Sequence, residues 1–272
     1  MPLQVEGSIA VVTGGASGIG RALCKQLASR GALHVIVADL SMDQARAVAA
    51  ELPAGVGHAM LADVSKEMDI RRLIVTTESL YGPITAFCAN AGIPANGGPE
   101  VSNDEWERIW RVNVMQTVLV ARHLFPLYEA RGEGALLVTA SAAGLLTQVG
   151  SLPYSVTKHA SVGLAEWLKI SYSAKGIGVS CLCPQAVATS MLPGGGGGPA
   201  GGDGVLSPEQ VAAESVDAMC AGRFLILPHK EVGKYMLRRA QDHERWLAGM
   251  TRMHKAFGEV VRTSPNASAA KL

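Results

Sequence analysis

The stretch Ile9-Ala-Val-Val-Thr-Gly-Gly-Ala-Ser-Gly-Ile-Gly20 decides the fold of this chain. Its first five residues are mostly apolar and β-branched, which is typical of a buried parallel strand. Glycines at positions 14, 18 and 20 follow in the spacing G-x3-G-x-G, and a helical pattern begins at Ile19. Glycines in such a turn let the backbone approach a pyrophosphate, and a helix N-terminus offers free amides and partial positive charge. The stretch therefore predicts a dinucleotide site at a strand–turn–helix junction.

Short apolar runs alternate with helical patterns along most of the chain. This repeated β-α alternation predicts an α/β fold with a single doubly wound parallel sheet of the Rossmann type and helices on both faces. In such sheets ligands bind beyond the carboxyl ends of the strands. The predicted strands are Ile9–Thr13, Leu33–Ala38, His58–Ala62, Ile84–Ala89, Ala135–Ala140, Val179–Cys183 and Phe224–Leu227. The predicted helices are Ile19–Arg30, Met42–Leu52, Lys66–Tyr81 and Tyr154–Ala174, with one or two more over Asn103–Arg131.

The C-terminal part departs from this alternation. Residues 194–204 hold eight glycines, so we expect a flexible loop over 193–206, either a tolerated surface insertion or a mobile cover of a binding site. Lys234–Phe257 carries apolar residues at roughly helical spacing, which predicts a face that packs on the body or on a partner subunit. We expect one domain over residues 1–262, and a flexible tail over 263–272. The apolar residues of that face are Leu237, Ala240, Leu247, Met250, Met253 and Phe257.

Composition excludes several function classes. The chain has 272 residues, and its 24 Lys and Arg against 23 Asp and Glu leave a net charge of +1, which argues against a nucleic-acid partner. Residues 134–157 and 176–202 lack charges, but polar residues, Gly and Pro interrupt both, so we expect no stable membrane insertion. The five cysteines form no CxxC pair, and neither a disulfide framework nor a metal site is expected.

Taken together, the motifs resemble the short-chain dehydrogenase/reductase family in its classical form, from Val5 to about Leu227. Tyr-x3-Lys alone is common by chance, but a Ser 13 residues earlier and the glycine turn make coincidence a poor explanation. The chain departs from the family pattern at Gln185, where Gly is usual, and we expect this side chain to tune substrate choice. The matching motifs are TGGASGIG at 13–20, DV at 63–64, NAG at 90–92, Asn113, Ser141, YSVTK at 154–158 and PQAVAT at 184–189.

The cofactor is expected to be NAD. Asp39 follows the second predicted strand, where a carboxylate accepts hydrogen bonds from the adenosine ribose and repels a 2′-phosphate. Asp39 is alternatively a helix cap, although Ser41 is available for that role. No Arg or Lys stands at 15–17 or 40 to neutralise a phosphate. With the resemblance added, the expected cofactor contacts are Thr13, Gly14, Ser17, Gly18, Ile19, Gly20, Asp39, Leu40, Asp63, Val64, Asn90, Ala91, Gly92, Tyr154, Lys158, Pro184, Val187 and Thr189.

The resemblance implies an alcohol–ketone oxidoreductase with Tyr154 as general acid/base. Tyr154 and Lys158 are four residues apart, so they share a helix face. A phenol has a pKa of ~10, and lowering it by about three units takes roughly 4 kcal/mol, which the Lys ammonium and an oxidised nicotinamide would supply together. Ser141 is expected to orient the substrate oxygen, and Asn113 to hold a water that links Lys158 to solvent. Taken singly, each of the four is as easily a capping, turn or surface residue.

The substrate is expected to be a small hydrophobic alcohol or ketone. The expected pocket is mostly apolar, and no basic cluster at its mouth can be located from the sequence. Such a cluster would favour an alternative, a reductase of 3-oxoacyl or enoyl thioesters; a non-catalytic NAD-binding protein is the other alternative. The expected pocket residues are Ser141, Ala143, Leu145, Gln148, Val149, Gln185, Met191 and Leu192.

Assembly and location are also predicted. The resemblance implies a homodimer or homotetramer paired through the helices of Asn103–Arg131 and Tyr154–Ala174. The chain ends in Ala270-Lys271-Leu272, which resembles a peroxisomal address. We therefore expect a peroxisomal protein if the source is a eukaryote, and a cytoplasmic one otherwise.

Overall fold

The computed structural model describes residues 2–192, 201–259 and 261, and its centre is a seven-stranded parallel sheet. The order β3-β2-β1-β4-β5-β6-β7 places β1 and β4 side by side, because the chain builds outward from β1 twice, in opposite directions. A ligand crevice forms where the strand order reverses in this way. The strands are β1 (Ile9–Thr13), β2 (His34–Asp39), β3 (Gly57–Leu61), β4 (Ala86–Ala89), β5 (Gly134–Thr139), β6 (Ile177–Leu182) and β7 (Leu225–Ile226).

Helices cover both faces of the sheet, as predicted. Side chains of successive strand residues point to opposite faces, so Ala10 and Val12 pack on one layer, whereas Val11 packs on the other. The first layer holds α1, α2 and α8, and the second holds α3, α5 and α7. The helices are α1 (Gly18–Ser29), α2 (Met42–Ala50), α3 (Glu67–Leu80), α4 (Asn103–Trp110), α5 (Gln116–Arg131), α6 (Ala143–Leu146), α7 (Leu152–Tyr172), α8 (Pro208–Cys220), α9 (Glu231–Gln241) and α10 (His243–Met253).

The range Asn103–Arg131, predicted as one or two helices, forms two in the structure. A π-helical turn, Arg111–Met115, separates α4 from α5. Such turns widen the helix by one residue and are frequent at functional sites. Two helices were not predicted: the short α6, and α8, which begins with a capping box between Ser207 and Gln210.

The predicted packing face of Lys234–Phe257 does not meet the body as one row of apolar side chains, whereas its packing on a partner subunit stays a prediction. The chain leaves the helical conformation at Asp242 (φ −150°, ψ 89°), so α9 and α10 are separate helices rather than one. Leu237 and Leu247 are 59% and 46% exposed. Instead, Val232 and Trp246 pack on a small cluster around Leu146. The break at Asp242 changes which side of each helix meets the body.

No helix within the described residues is long and apolar enough to cross a membrane. Most of the predicted glycine-rich loop (193–200) and the whole predicted tail, with the address at Ala270–Leu272, lie outside the described residues. Beyond the loop, Leu206 pairs with the segment after β6, donating its N–H to the Ala186 carbonyl (3.1 Å). This pairing ties the start of α8 to the sheet edge.

Candidate active site

A cleft of about 1430 Å³ opens at the carboxyl edge of the sheet, above the reversal between β1 and β4. The ends of β1, β2, β4 and β5 form one half of its wall, called the cofactor half after the prediction above. The other half, called the substrate half, is formed by α6, the start of α7 and the C-terminal helices. Sixteen of the eighteen predicted cofactor residues line it, because their strands end at one edge.

The glycine turn forms the floor of the cofactor half. Gly14 and Gly18 have φ of 62° and 50°, which glycine adopts without strain. A Cβ at Gly18 would lie 2.9 Å from Thr189 Cγ2, so a side chain there would close the gap between the turn and the segment after β6. Ser17 makes no side-chain cap on α1, and no acidic residue stands in its first turn. The first amides of α1 are therefore left for an anion such as a pyrophosphate.

Two predicted cofactor residues, Thr13 and Gly20, do not line the cleft. Thr13 is fully buried, and its Oγ1 accepts from the N–H groups of Asn90 (3.0 Å) and Ala91 (3.2 Å). A Cβ at Gly20 would lie 2.0 Å from the Gly14 carbonyl oxygen. Both residues shape the turn from behind, and this is why a motif match alone could not separate them from the residues that face the ligand.

Asp39 ends β2 at the rim of the cofactor half. Its Oδ2 accepts from the Ala16 N–H and its Oδ1 from the Ser41 N–H, each at 3.1 Å. Ser41, and not Asp39, caps α2, by accepting from the Gln44 N–H at 3.4 Å. Leu40 beside it is 61% exposed. The carboxylate is thus fixed against the glycine turn and lies where a ribose would have to be held.

Asp63 and Asn90 line the same half of the cleft. Burial tends to raise the pKa of the Asp63 carboxyl, but hydrogen bonds from Ser65 and the Lys66 ammonium hold it below its usual value. Asn90 donates from Nδ2 to the Thr13 carbonyl (3.0 Å) and accepts from Thr139 Oγ1 (3.1 Å). Asn90 therefore links β1 to β5 across the reversal point.

Ser141, Tyr154 and Lys158 line the same cleft. The spacing of Tyr154 and Lys158 predicted their shared helix face, and the resemblance implied Ser141 beside them. Ser141 follows β5, and its Oγ accepts from the Ala143 N–H (3.1 Å). Tyr154 stands in the first turn of α7, and Lys158 one turn later, with Nζ 5.5 Å from the tyrosine ring centre. Lys158 Nζ donates to the Thr139 carbonyl (2.9 Å).

Burial shifts the pKa of Tyr154 and of Lys158 in the direction that favours the neutral form of each. It lowers the pKa of the Lys158 ammonium to about 8, and no salt bridge among the described residues involves Lys158. It raises the pKa of the Tyr154 phenol, and the neighbouring Ser141 hydroxyl partly offsets the rise. Because the tyrosine ring borders the open cleft, solvent moderates this effect. The protein environment thus raises the pKa of Tyr154, whereas the sequence predicts a lower pKa in the presence of the oxidised cofactor.

Asn113 lies in the π-helical turn, behind the cleft rather than in its wall. Its side chain is buried and fully engaged: Oδ1 accepts from the Ile93 N–H (2.9 Å), and Nδ2 donates to the Ile93 carbonyl (3.0 Å) and Thr157 Oγ1 (3.2 Å). A Cβ placed on Gly92 would touch both Asn113 Oδ1 and Lys158 Nζ at 3.4 Å. Asn113 therefore fixes the segment that approaches Lys158.

All but one of the predicted pocket residues line the substrate half. The exception is Leu145, which packs against the body instead. Gln185 lines the cleft, and its backbone N–H donates to His229 Nδ1 (3.2 Å). His229 is buried, and its Nε2 and Gln185 Oε1 have no partner in the described structure. His229 was not predicted, because 44 residues separate it from the residue that it holds.

The C-terminal helices supply a second group that sequence reasoning missed. They cover the outer part of the substrate half with residues that include three arginines, and Arg108 of α4, which is paired with Glu105 (2.9 Å), stands at the same rim. This is the basic cluster that could not be located from the sequence. The lining residues of α9 and α10 and of the link between them are Tyr235, Arg238, Gln241, Asp242, Arg245, Trp246, Gly249, Met250, Arg252 and Met253.

The fold, the glycine turn and the Ser-Tyr-Lys cluster define a class, and comparison with known proteins gives the same one. The family model described as short chain dehydrogenase matches residues 8–194. The chain therefore belongs to the short-chain dehydrogenase/reductase family, in its classical form, and is an oxidoreductase.

Characterised relatives and a solved structure agree with this assignment. The chain is similar to 1-deoxy-11-beta-hydroxypentalenate dehydrogenase of Streptomyces exfoliatus, with 35% identity over 84% of this chain and 86% of that protein. It is 31% identical to the mitochondrial borneol dehydrogenase of Lavandula x intermedia, over 69% of this chain and 72% of that one. A short-chain dehydrogenase/reductase from Burkholderia phymatum, solved in complex with NAD, superposes with a TM-score of 0.80 at 27% identity, covering 89% of this chain and 96% of that one.

Proposed function

We propose that this protein interconverts a secondary alcohol and a ketone on a hydrophobic substrate, with NAD as the preferred cofactor. The observation that carries the proposal is the convergence of Ser141, Tyr154 and Lys158 in one cleft with the glycine turn. The two relatives above support it, since the name of each denotes a dehydrogenase, one of borneol and one of a hydroxylated pentalenate.

The glycine turn and Asp39 fit the two ends of an adenosine pyrophosphate. The free amides of α1 suit the phosphates, and the fixed Asp39 carboxylate suits ribose hydroxyls but repels a 2′-phosphate. When bound, the dinucleotide supplies the acceptor for the hydride that leaves the alcohol carbon. The NAD complex of the Burkholderia phymatum relative supports this choice of cofactor.

Tyr154 is assigned the proton transfer. In the oxidation direction its phenolate oxygen takes the hydroxyl proton of the substrate, and in reduction the phenol returns it. Burial opposes the phenolate, so the Lys158 ammonium one helical turn away has to stabilise it. Ser141 Oγ, held by the Ala143 N–H, orients the substrate oxygen. Asn113 holds Ile93 and so positions the segment after β4 beside Lys158.

The test is NADH formation by the purified protein over a panel of hydrophobic secondary alcohols, borneol included, with Tyr154→Phe as the variant. General acid–base catalysis contributes about 10²–10⁴-fold, so we expect kcat to fall by that factor while NADH still binds, as followed by its fluorescence. Tyr172→Phe, a tyrosine near the far end of the same helix, is the matched control.

Each alternative has its own outcome in this experiment. Turnover that survives in Tyr154→Phe would reject Tyr154 as the base. Activity confined to 3-oxoacyl or enoyl thioesters would favour the reductase alternative. NADH binding without turnover of any substrate would favour a non-catalytic NAD-binding protein.

A further inference from the structure

The outer wall of the substrate half is amphiphilic, and this property points to a class of substrate. On α10 the residues that line the cleft alternate between arginines and large apolar side chains. Trp246, Met250 and Met253 follow each other at spacings of four and three, so they form one helical row. Arg245 and Arg252 are seven residues apart and form a second row beside it, about 10 Å long at 1.5 Å per residue.

The arginines have no partner of opposite charge in the described structure. Arg238, Arg245 and Arg252 take part in no salt bridge there, and all three are exposed. Arg238 contacts only the face of the Tyr235 ring, at 5.7 Å. The residues outside the described part of the chain include no Asp or Glu side chain. No carboxylate side chain from those segments is therefore available to neutralise these guanidinium groups.

The two acidic residues in this part of the wall are already engaged. Asp203 accepts from the Tyr235 hydroxyl at 2.9 Å, and Asp242 accepts from the Arg245 backbone N–H at 3.0 Å as the cap of α10. Arg108 across the rim is paired with Glu105. Both hydrogen bonds come from neutral donors, so the two carboxylates keep their charge, and the three arginines exceed the two aspartates by one. The outer wall thus keeps a small excess of positive charge beside an apolar surface, whereas the cofactor half has Asp39 and Asp63.

We propose that the substrate is an anionic amphiphile, with an apolar part along Trp246 and Met250 and a carboxylate or phosphate held by Arg245 and Arg252. This inference rests on the proposed function, and it names the substrate class of the same site. Arginine binds both anions through paired N–H donors, so a free carboxylic acid and a phosphorylated carrier such as coenzyme A are two sources of one chemistry.

The experiment compares charged and neutral forms of one substrate skeleton. Secondary hydroxy fatty acids are assayed beside their methyl esters, and 3-hydroxyacyl-coenzyme A beside the corresponding pantetheine thioester without phosphates. We expect the wild type to favour the anion at least tenfold in kcat/KM, mainly through KM. Arg245→Gln with Arg252→Gln should lower kcat/KM for the anion about 10–100-fold and leave the neutral partner unchanged. If the double variant affects the hydroxy acid and not its methyl ester, the bound anion is a carboxylate. If it affects the coenzyme A thioester and not the pantetheine thioester, the bound anion is a phosphate.

A binding measurement separates failure of this inference from failure of the proposed function. Laurate and dodecanol are titrated calorimetrically into protein saturated with NADH, for the wild type, the double variant and the control Arg46→Gln on α2. Laurate should bind more tightly than dodecanol, and only the double variant should lose that difference. Equal affinities for laurate in the wild type and the double variant would overturn the anion site, even if neutral alcohols turn over. Arginine-dependent laurate binding without any turnover would leave the site standing and reject the oxidoreductase proposal.

Discussion

At the scale of single residues, the charge of Asp39 is the feature to which we assign the proposed preference for NAD. Its two oxygens are held by the Ala16 and Ser41 N–H groups, so Asp39→Asn keeps the shape of the side chain and removes the charge. We expect the ratio of kcat/KM for NADP to that for NAD to rise at least tenfold, because the repulsion of a 2′-phosphate is lost. Steady-state kinetics with both cofactors measures it. The neighbouring Asp43→Asn, exposed on α2, is the control, and an unchanged ratio in Asp39→Asn would contradict this assignment.

The buried charge of Lys158 lowers the stability of the folded protein. Burial lowers its pKa from 10.5 to about 8, and at ~1.4 kcal/mol per pKa unit the charged form costs the folded state about 3 kcal/mol. We expect Lys158→Met to abolish turnover but to raise the free energy of unfolding by about 1–2 kcal/mol at pH 7, since the lost hydrogen bond to Thr139 offsets part of the gain.

The pH dependence of that difference checks its cause. Below pH 8 the lysine is charged in both the folded and the unfolded protein, so the whole cost is present. Between pH 8 and 10.5 only the unfolded protein keeps the proton, and wild-type stability should rise relative to the variant. Urea unfolding of both proteins from pH 7 to 10 measures the difference, with Lys169→Met, near the end of α7, as control. A difference that does not shrink with pH would point to packing rather than charge.

At the scale of elements, local patterns were enough for most of the sheet and for the centre of the site. All seven strands were predicted to within a few residues, because each is a short apolar run, followed at the carboxyl edge by a polar residue or, for β6 and β7, by a proline. Tyr154 and Lys158 lie in one helix, so their separation along the sequence fixes their relative position in the structure. Helix α8 was missed although its signal was readable, since Ser207 and Gln210 form a capping box at its start.

Contacts between distant segments could not be predicted in this way. The hydrogen bond from Gln185 to His229 joins residues on two different segments, and no local sequence pattern predicts it. The arginine row of α10 depends on the break at Asp242, which resets the phase of the helix that follows. Nothing in the local sequence shows that this row lies over a cleft formed mainly by distant segments of the chain.

At the scale of the whole molecule, helix α7 carries a stripe of exposed apolar side chains on the side away from the cleft. Val156, Trp167 and Ile170 are 40%, 59% and 81% exposed, and their spacing places them on one face. Large exposed apolar patches mark association surfaces, and this stripe lies on one of the helices through which pairing was predicted. The homo-oligomer remains a prediction that the stripe supports.

A double substitution tests this surface directly. Trp167→Glu with Ile170→Glu should convert the predicted dimer or tetramer to a monomer, because two like charges would face their copies across the interface. Sedimentation equilibrium measures the mass, and Met68→Glu, equally exposed on α3, should leave it unchanged. A wild type that already sediments as a monomer would remove the prediction.

The break at Asp242 also has a consequence for how such a protein diversifies. The family match ends at residue 194, and the outer wall of the cleft comes from residues that follow it, on α9 and α10. Genetic change in α9 and α10 can therefore alter what enters the cleft, while the glycine turn, Ser141, Tyr154 and Lys158 lie within the family match and stay unchanged. Chimaeras that exchange only this C-terminal segment between relatives should therefore exchange substrate range and keep the rest of the site.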